Sequence, residues 1–438
     1  MPGDRWLYAW GLGSVAAGVA SLLVPLYAVG LGAGAFELGV LAASAAVVAA
    51  PGAVLFGRYA DRTGNHRPVV LLALLAVAAA LAVLPLLDSV WPVVAANAAL
   101  WFAFSSVAPV LTMLVVDGVP EAEWTRRIAR LNQFQGYGWA AGLVLGSVWT
   151  GAAVVRFGSV LAAQRTLFVA SAACAVAASL AARRWVPRTA HHVGRTKTGR
   201  VAAALARTRR NVREVPFLAS TNRLYWSTRY VRPRRLAARF SPPVAAYFAA
   251  ATLFSTGFAA FWAPLPLYLT DAGLGSEGVF ALYLTSSVSS ALLYAAAGEL
   301  GSRYDVRLVQ TGALGLRALA FPLVAVLGSA AAVAGPLPLV PVLAVVGGTW
   351  AVIAVTQTGI VTRLAPVPVR GEALGAFAAL VAVASAAGSL LGGWLATLDY
   401  AVAFGVAAAL VLVGAALVFA LRAISGVAAA ASPSGLAD

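Results

Sequence analysis

The sequence has few charged residues, few histidines and almost no cysteine. Only 11% of its 438 residues are Asp, Glu, Lys or Arg, whereas soluble domains carry about 25%. The single cysteine, Cys174, excludes an intramolecular disulfide, and with three histidines it gives no cluster of metal ligands. The chain also lacks a nucleophile constellation and a phosphate-binding loop. We therefore expect no metal, no cofactor and no enzymatic activity.

Apolar sequence is what the chain has in excess, since 61% of its residues are hydrophobic. No soluble fold of this length could bury so much apolar surface, whereas lipid can cover the outer faces of a membrane protein. A helix needs about 20 apolar residues to cross about 30 Å of hydrocarbon. The sequence predicts twelve such spans, near residues 6–29, 38–56, 68–87, 92–116, 128–155, 160–182, 243–269, 279–297, 308–328, 337–362, 373–396 and 400–422.

Basic residues are distributed unequally between the two sides of these spans. Twelve arginines fall in the termini and short loops of one side, against only Arg156 and Arg165 on the other. The long central loop adds 16 Lys and Arg to the richer side. Cytoplasmic loops carry such an excess. The bias predicts a multi-pass protein of the plasma membrane of a prokaryotic cell, with both termini in the cytoplasm.

A short stretch recurs in both halves of the chain without a gap. Pro25-Leu26-Tyr27 and Pro266-Leu267-Tyr268 are 241 positions apart, and each precedes an apolar run that ends in a charged turn. The glycines that open these turns, Gly57 and Gly298, have the same separation, as do Arg62 and Arg303. An internal repeat in so apolar a chain is typical of transporters built from two related bundles.

The repeat and the loop lengths predict an all-α membrane protein with two pseudo-symmetric six-helix bundles. We place the N-terminal bundle at residues 1–182, a basic cytoplasmic central loop at 183–242 and the C-terminal bundle at 243–438. The loop spaces four apolar residues on one helical face between arginines. This pattern predicts a helix on the inner leaflet, held by anionic lipid rather than by nucleic acid. The four residues are Val201, Leu205, Val212 and Val215.

The turn GRYADRTGNHR, residues 57 to 67, resembles the signature loop of the major facilitator superfamily. That pattern joins a glycine, an Asp-Arg pair, a second glycine and basic residues, which here are Gly57, Asp61, Arg62, Gly64 and Arg67. The stretch VPVRGEALGAF, residues 367 to 377, resembles the turn that many members carry before the eleventh span. The second copy of the signature loop keeps only Gly298 and Arg303 in register.

The resemblance implies the twelve-helix fold and transport of a small-molecule substrate by alternating access. It also implies that Asp61 braces a cytoplasmic gate by facing the positive N-terminal end of the eleventh span. The chain looks most like prokaryotic drug and sugar efflux permeases, and we expect a monomer. Small residues four apart let helices approach closely, and we expect five such glycines to form the contact between the bundles: Gly138, Gly142, Gly146, Gly388 and Gly392.

Candidate substrate-binding residues are polar or aromatic side chains inside the predicted spans. Arg317 stands out because an ionisable residue at membrane depth is a functional candidate by default; the alternative is an arginine paired with backbone carbonyls. The other candidates suit neutral or amphipathic substrates, or else pack and hydrogen-bond between helices. They are Asn97 and Trp101 in the fourth span, Asn132 and Gln135 in the fifth, Tyr294 in the eighth, and Trp350 and Gln357 in the tenth.

Mid-membrane carboxylates are missing from the predicted spans, so the sequence leaves proton coupling open beside facilitated diffusion and exchange. Efflux of a drug, sugar or metabolite is the first functional expectation. Uptake or exchange of a sugar or metabolite is the second. A non-transporting sensor with the same fold is an alternative of another class, since it would bind a ligand without moving it.

Overall fold

The structure is a computed structural model that describes residues 5–63, 66–116, 120–187, 241–365 and 370–430. The first half contains α1 (Trp6–Gly30), α2 (Ala35–Thr63), α3 (Arg67–Val83), α4 (Val90–Val116), α5 (Glu121–Phe157) and α6 (Val160–Trp185). The second contains α7 (Pro242–Trp262), α8 (Leu265–Asp271), α9 (Ser276–Arg303), α10 (Val306–Ala334), α11 (Val340–Leu364), α12 (Arg370–Ala396) and α13 (Tyr400–Ala430). Two short 3₁₀ segments, Leu84–Leu86 and Leu337–Leu339, follow α3 and precede α11.

The described part of the central loop stops at residue 187 and resumes at 241. The predicted surface helix with Val201, Leu205, Val212 and Val215 therefore lies outside the described residues, as does the turn before α12. The bundle boundaries and the lipid contact of this loop stay predictions.

Eleven helical segments of the described residues are long and apolar enough to cross a membrane. α9 has 28 residues but is less apolar, because serines on one of its faces line an internal cavity rather than lipid. With α9 the segments make twelve crossings, which confirms the predicted all-α, twelve-helix fold. The seventh crossing consists of two helices, because α7 ends at Trp262 and α8 begins after Pro264, which has no N–H to continue the ladder.

The helices of the two halves pack in the same pairs. In the first half α1 packs against α5 and α6, α2 against α4, and α3 against α4 and α6. In the second half α7 packs against α12 and α13, α9 against α11, and α10 against α11 and α13. The main contacts between the halves, α2 with α12 and α5 with α9, exchange under the same correspondence. The fold thus has two equivalent bundles related by a pseudo-two-fold axis.

Glycines of α5 and α12 let helices approach within each half. A Cβ on Gly142 would lie 2.4 Å from the carbonyl oxygen of Val15 in α1, and one on Gly388 would lie 2.2 Å from that of Thr256 in α7. The expectation that these glycines join the two bundles is therefore wrong for both. Gly142 joins α5 to α1 within the first half, and Gly388 joins α12 to α7 within the second half. The same correction applies to Gly138, which meets α1, and to Gly392, which meets α7.

The turn between α5 and α6 illustrates how tightly the chain reverses at the end of the bundle distant from the termini. Gly158 ends α5 with a φ of 67°, and its N–H donates to the carbonyl oxygen of Val154 at 2.9 Å. Ser159 then caps α6, since its Oγ accepts from the N–H of Ala162 at 3.4 Å. Glycine adopts this left-handed conformation without strain, so two residues suffice to reverse the chain.

Candidate substrate cavity

A cavity of about 580 Å³ lies between the two halves. Its volume is within the range of about 300–1,000 Å³ that holds drug-sized ligands. In the first half α1, α2, α4 and α5 line it, and in the second half the helices from α7 to α12 do. Each half thus supplies one wall, and a molecule bound here would contact both.

The two halves meet at the end of the molecule that is distant from the chain termini. α2 crosses α12 so closely there that a Cβ on Gly39 would lie 3.1 Å from the Cα of Gly393. Beside α5 the ring of Phe280 would be 2.3 Å from a Cβ on Gly146, the one predicted bundle-contact glycine that does face the other half. Small residues at these crossings close this end of the cavity.

Two hydrogen bonds join the halves at the same end. The Ser147 hydroxyl of α5 donates to the carbonyl oxygen of Glu277 at 3.1 Å. The amide Nε2 of Gln164 in α6 donates to the Oγ of Ser276 at 3.1 Å, and both side chains are buried. The closed end is therefore held by close backbone packing and by neutral polar contacts.

Six of the eight sequence-predicted binding residues line the cavity. They are Asn97, Trp101, Tyr294, Arg317, Trp350 and Gln357. Two others, both in α5, are not among its lining residues. Gln135 is buried and accepts a hydrogen bond from the Nε1 of Trp10 at 3.3 Å, and Asn132 is half-buried.

The face of α5 that lines the cavity differs from the face that the sequence predicts. The cavity side of α5 carries Gln133 and Tyr137, and Gln133 Nε2 donates to the Tyr137 hydroxyl at 2.7 Å. Gly138 and Gly142 pack on α1, so the opposite side of the helix is left for the cavity. Helical spacing from these glycines is the signal that could have placed the polar face correctly.

Aromatic rings form much of the cavity wall. In the first half the Trp101 and Trp139 rings lie 6.1 Å apart. In the second half Trp262 stands edge-on to Tyr283 at 5.1 Å. Phe258, Trp262 and Tyr283 were not predicted. The sequence analysis placed no candidate in α7, which holds Phe258 and Trp262, whereas the helical spacing between Tyr283 and Tyr294 in α9 could have placed Tyr283 on the same face.

Among the described residues that line the cavity, Arg317 is the one with a charged side chain. It lies in α10, where it is 1% exposed, and its Nη1 donates to the carbonyl oxygen of Val346 at 3.1 Å. The remaining polar lining consists of amides, hydroxyls and indole N–H groups, as in Asn97, whose Nδ2 donates to the Leu41 carbonyl oxygen at 3.3 Å. As far as the described residues line it, the cavity is therefore apolar and aromatic, with one buried cation and no carboxylate.

The predicted gating residues lie at the end that carries the termini, and only some of them are described. Gly57 is buried in α2, and the Nη2 of Arg67 donates to the carbonyl oxygen of Arg183 at the end of α6. The side chains of Asp61 and Arg62, and all of Gly64, lie outside the described residues. The gate role of Asp61 stays a prediction.

The second copy of the gating turn is held by ion pairs. Arg303 pairs with Glu299 one turn earlier in α9, near Gly298, which is half-buried. Asp305 caps α10 by accepting from the Arg307 N–H at 2.9 Å, and it also pairs with Arg422 of α13 at 3.1 Å. These contacts remain within the second half, and the gate role of Gly298 and Arg303 stays a prediction.

Comparison with known proteins identifies the fold and the family. No curated protein matches the sequence. The nucleoside transporter NupG, in a mutant form, has a similar structure with a TM-score of 0.74 and 14% identity, over 97% of this chain and 100% of that one. A bacterial homologue of the human lysosomal transporter Spinster, inward-facing and occupied, gives 0.70 and 12%, over 96% of each chain. The human organic anion transporter MFSD10 gives 0.55 and 18%, over 95% of this chain and 98% of that one.

The sequence comparison covers most of the chain, since residues 7–333 match the Major Facilitator Superfamily. This match includes the signature turn and extends well into the second bundle, and the equivalent bundles and central cavity agree with it. The chain therefore belongs to the Major Facilitator Superfamily, whose members are multi-pass membrane transporters of small molecules.

Proposed function

We propose that the chain exports a small amphipathic organic solute across the plasma membrane as a secondary transporter that works by alternating access. The observation that carries this proposal is the cavity between two equivalent halves, which is closed at one end by contacts between α2 and α12 and between α5 and α9. Rocking the halves about this cavity would open the closed end and close the other. The two halves are equivalent, so contacts like those at the closed end can form at the opposite end instead.

The contacts at the closed end are of the kind that a transporter can exchange. The bonds from Ser147 to Glu277 and from Gln164 to Ser276 are neutral, and each contributes about 0.5–1.5 kcal/mol net. A difference of a few kcal/mol between two states is within the range that ligand binding can shift. The closed end therefore supports alternation rather than a permanent seal.

The cavity lining supports an aromatic or amphipathic solute. Paired rings such as Trp101 and Trp139 offer faces on which a planar molecule stacks, and the amides of Asn97 and Gln357 offer hydrogen bonds. No carboxylate is among the described residues that line the cavity, so a proton-coupled cycle would need a protonatable group outside that set. Proton coupling, facilitated diffusion and exchange all stay open.

The excess of arginine on one side favours cytoplasmic termini, and the cavity is closed at the end distant from those termini. In that orientation the cavity would face the cytoplasm, a state through which exporters and importers both pass. The direction of transport is supported by one sequence feature, since the Pro-Leu-Tyr pattern before α2 resembles that of drug and sugar exporters.

Uptake or exchange of a metabolite is the second candidate. The neutral amides of Asn97 and Gln357 beside tryptophan rings would suit a polar ring compound, and the nucleoside transporter NupG shares the fold. A sensor that binds without transport remains the alternative of another class. Direction and flux distinguish these three possibilities.

The test is accumulation of aromatic dyes of either charge and of uridine in an efflux-deficient host, with and without a protonophore. Wild type and Asp61→Asn are compared at equal membrane expression. Export predicts lower dye accumulation that Asp61→Asn loses, and only a proton-driven cycle would be abolished by the protonophore. Higher uridine accumulation would instead support uptake. Unchanged accumulation of every probe would contradict transport of these solutes, and a thermal shift by the same probes would then favour a sensor.

A further inference from the structure

Arg317 is a cation that the fold buries without a carboxylate partner among the described residues. The ion pairs of those residues join other arginines, such as Arg165 with Asp88 and Arg422 with Asp305. A charged side chain at the centre of a membrane helix is costly to insert. A residue with this cost needs compensation from its surroundings or from a ligand.

The surroundings compensate only in part. The guanidinium carbon of Arg317 lies 4.4 Å from the Phe258 ring centroid and 5.5 Å from that of Trp350, and one N–H reaches Val346. Ring faces attract a desolvated cation. The buried Nε of Arg317, however, has no hydrogen-bond partner. A guanidinium has five N–H donors in a planar fork, so the protein leaves donor capacity unused at this wall.

A second unused donor lies in the same cluster. The indole Nε1 of Trp350 is also buried without a hydrogen-bond partner, and both Trp350 and Arg317 line the cavity. A buried donor without an acceptor is unfavourable, because it has lost its hydrogen bonds to water. One of these donors belongs to the cation itself and the other lies on the ring beside it, so a single anionic group could accept from both.

We propose, on the basis of the transport function proposed above, that Arg317 and Trp350 bind the acidic group of an organic anion. The anion's apolar body would lie among the aromatic rings of the cavity. Its carboxylate or sulfonate would displace the wall side chains slightly, accept from the guanidinium fork and the indole N–H, and neutralise the buried charge. Because the described lining residues include no carboxylate, none of them repels an anion, whereas Arg317 repels an organic cation.

The selectivity of this subsite is tested with three probes that share one ring system. Naphthalene-2-sulfonate is permanently anionic, naphthalene-2-sulfonamide is neutral, and naphthalen-2-ylmethylammonium is cationic. Calorimetric Kd values on the purified full-length protein in detergent should show the sulfonate binding at least about tenfold more tightly than the sulfonamide. The ammonium should bind most weakly. Equal binding of sulfonate and sulfonamide, or no sulfonate binding, would overturn the proposal.

Variants separate ligand binding from a purely structural tie between α10 and α11. Arg317→Gln should remove the preference for the sulfonate and leave sulfonamide binding unchanged, whereas Arg317→Lys should keep part of it, because lysine retains the charge without the fork. Trp350→Phe should weaken only the sulfonate, by about two- to tenfold. Arg156→Gln and Trp91→Phe, at exposed positions, are the controls. Equal weakening of both probes would show that Arg317 is structural.

Proteoliposomes distinguish this inference from the proposed function. Sulfonate that binds with the expected preference but is not carried would contradict transport and leave the subsite standing. Sulfonamide carried without any preference for the sulfonate would contradict the subsite and leave transport standing. If Arg317→Gln does not fold, Arg317→Lys and Trp350→Phe carry the comparison.

Discussion

Tyr27 and Tyr268 occupy equivalent positions in the two halves and make equivalent hydrogen bonds. The hydroxyl of Tyr27 in α1 donates to the carbonyl oxygen of Leu87, just after the 3₁₀ turn that follows α3, at 2.9 Å. The hydroxyl of Tyr268 in α8 donates to the carbonyl oxygen of Ala325 in α10 at 2.8 Å. The repeated Pro-Leu-Tyr stretch thus joins the first membrane crossing of each bundle to the third crossing of the same bundle.

Removing either hydroxyl should destabilise the fold. Tyr27→Phe and Tyr268→Phe each lose the hydrogen bond that the hydroxyl donates, which contributes about 0.5–1.5 kcal/mol. Tyr27→Phe should cost at least as much as Tyr268→Phe, because the Tyr27 oxygen also accepts from the Nε of Arg165 at 3.2 Å. Thermal unfolding in detergent should show a lower midpoint for both. Tyr8→Phe is the matched control, because Tyr8 is 59% exposed. A midpoint equal to that of the control for either variant would contradict the equivalence of the two ties.

Glycine at the crossing of α7 and α12 should be required for folding. A Cβ on Gly388 would lie 2.2 Å from the Thr256 carbonyl oxygen, which is backbone and cannot move aside cheaply. Gly388→Ala should therefore cost about 1–3 kcal/mol, as overpacking does. Gly405→Ala is the control, since a Cβ there meets nothing within 4 Å. The measurement is the yield of monodisperse protein and its unfolding midpoint; if the two variants behave alike, the crossing is looser than described.

The sequence predicted the class of fold well because composition and span length depend on the bilayer rather than on detailed packing. It predicted less about helix partners. The spacing of Gly142 and Gly388 indicates that another helix packs closely against each of them, but it does not indicate whether that helix lies in the same half. The sequence was also a partial guide to which residues line the cavity. Trp101 and Gln357 were predicted because polar or amphipathic side chains are unusual inside a span, whereas Phe258 resembles any other apolar residue of its helix.

The aromatic pair in the first half should recognise planar ring systems. Trp101→Ala removes one of the two rings that lie 6.1 Å apart, and such ring contacts contribute about 0.5–1.5 kcal/mol beyond area burial. We expect Kd for a naphthalene probe to rise about two- to tenfold. Trp91→Ala, at a site that is 58% exposed, should leave Kd unchanged. An unchanged Kd in Trp101→Ala would place the bound ring elsewhere.

The close crossing of α2 and α12 should control opening of the closed end. A Cβ on Gly393 would lie 2.8 Å from the Cα of Gly39, so Gly393→Ala should separate the halves. The reporter is a cysteine at the buried Ser276 in a Cys174→Ala background, read by alkylation with a membrane-impermeant maleimide. Gly393→Ala should raise the alkylation rate several-fold. Gly312→Ala, where a Cβ meets nothing within 4 Å, should not. Equal rates would show that this crossing does not hold the end shut.

The central claim is that the halves must separate at the closed end for transport to occur. Gln164 and Ser276 are in contact across the halves there, at 3.1 Å. In a Cys174→Ala background, cysteines at both positions are joined by a short bis-methanethiosulfonate, with each single cysteine as control. Flux of the solute found in the accumulation assay should fall to the background of empty liposomes in the double variant only, and dithiothreitol should restore it. Undiminished flux through fully cross-linked protein would contradict alternating access by these two halves.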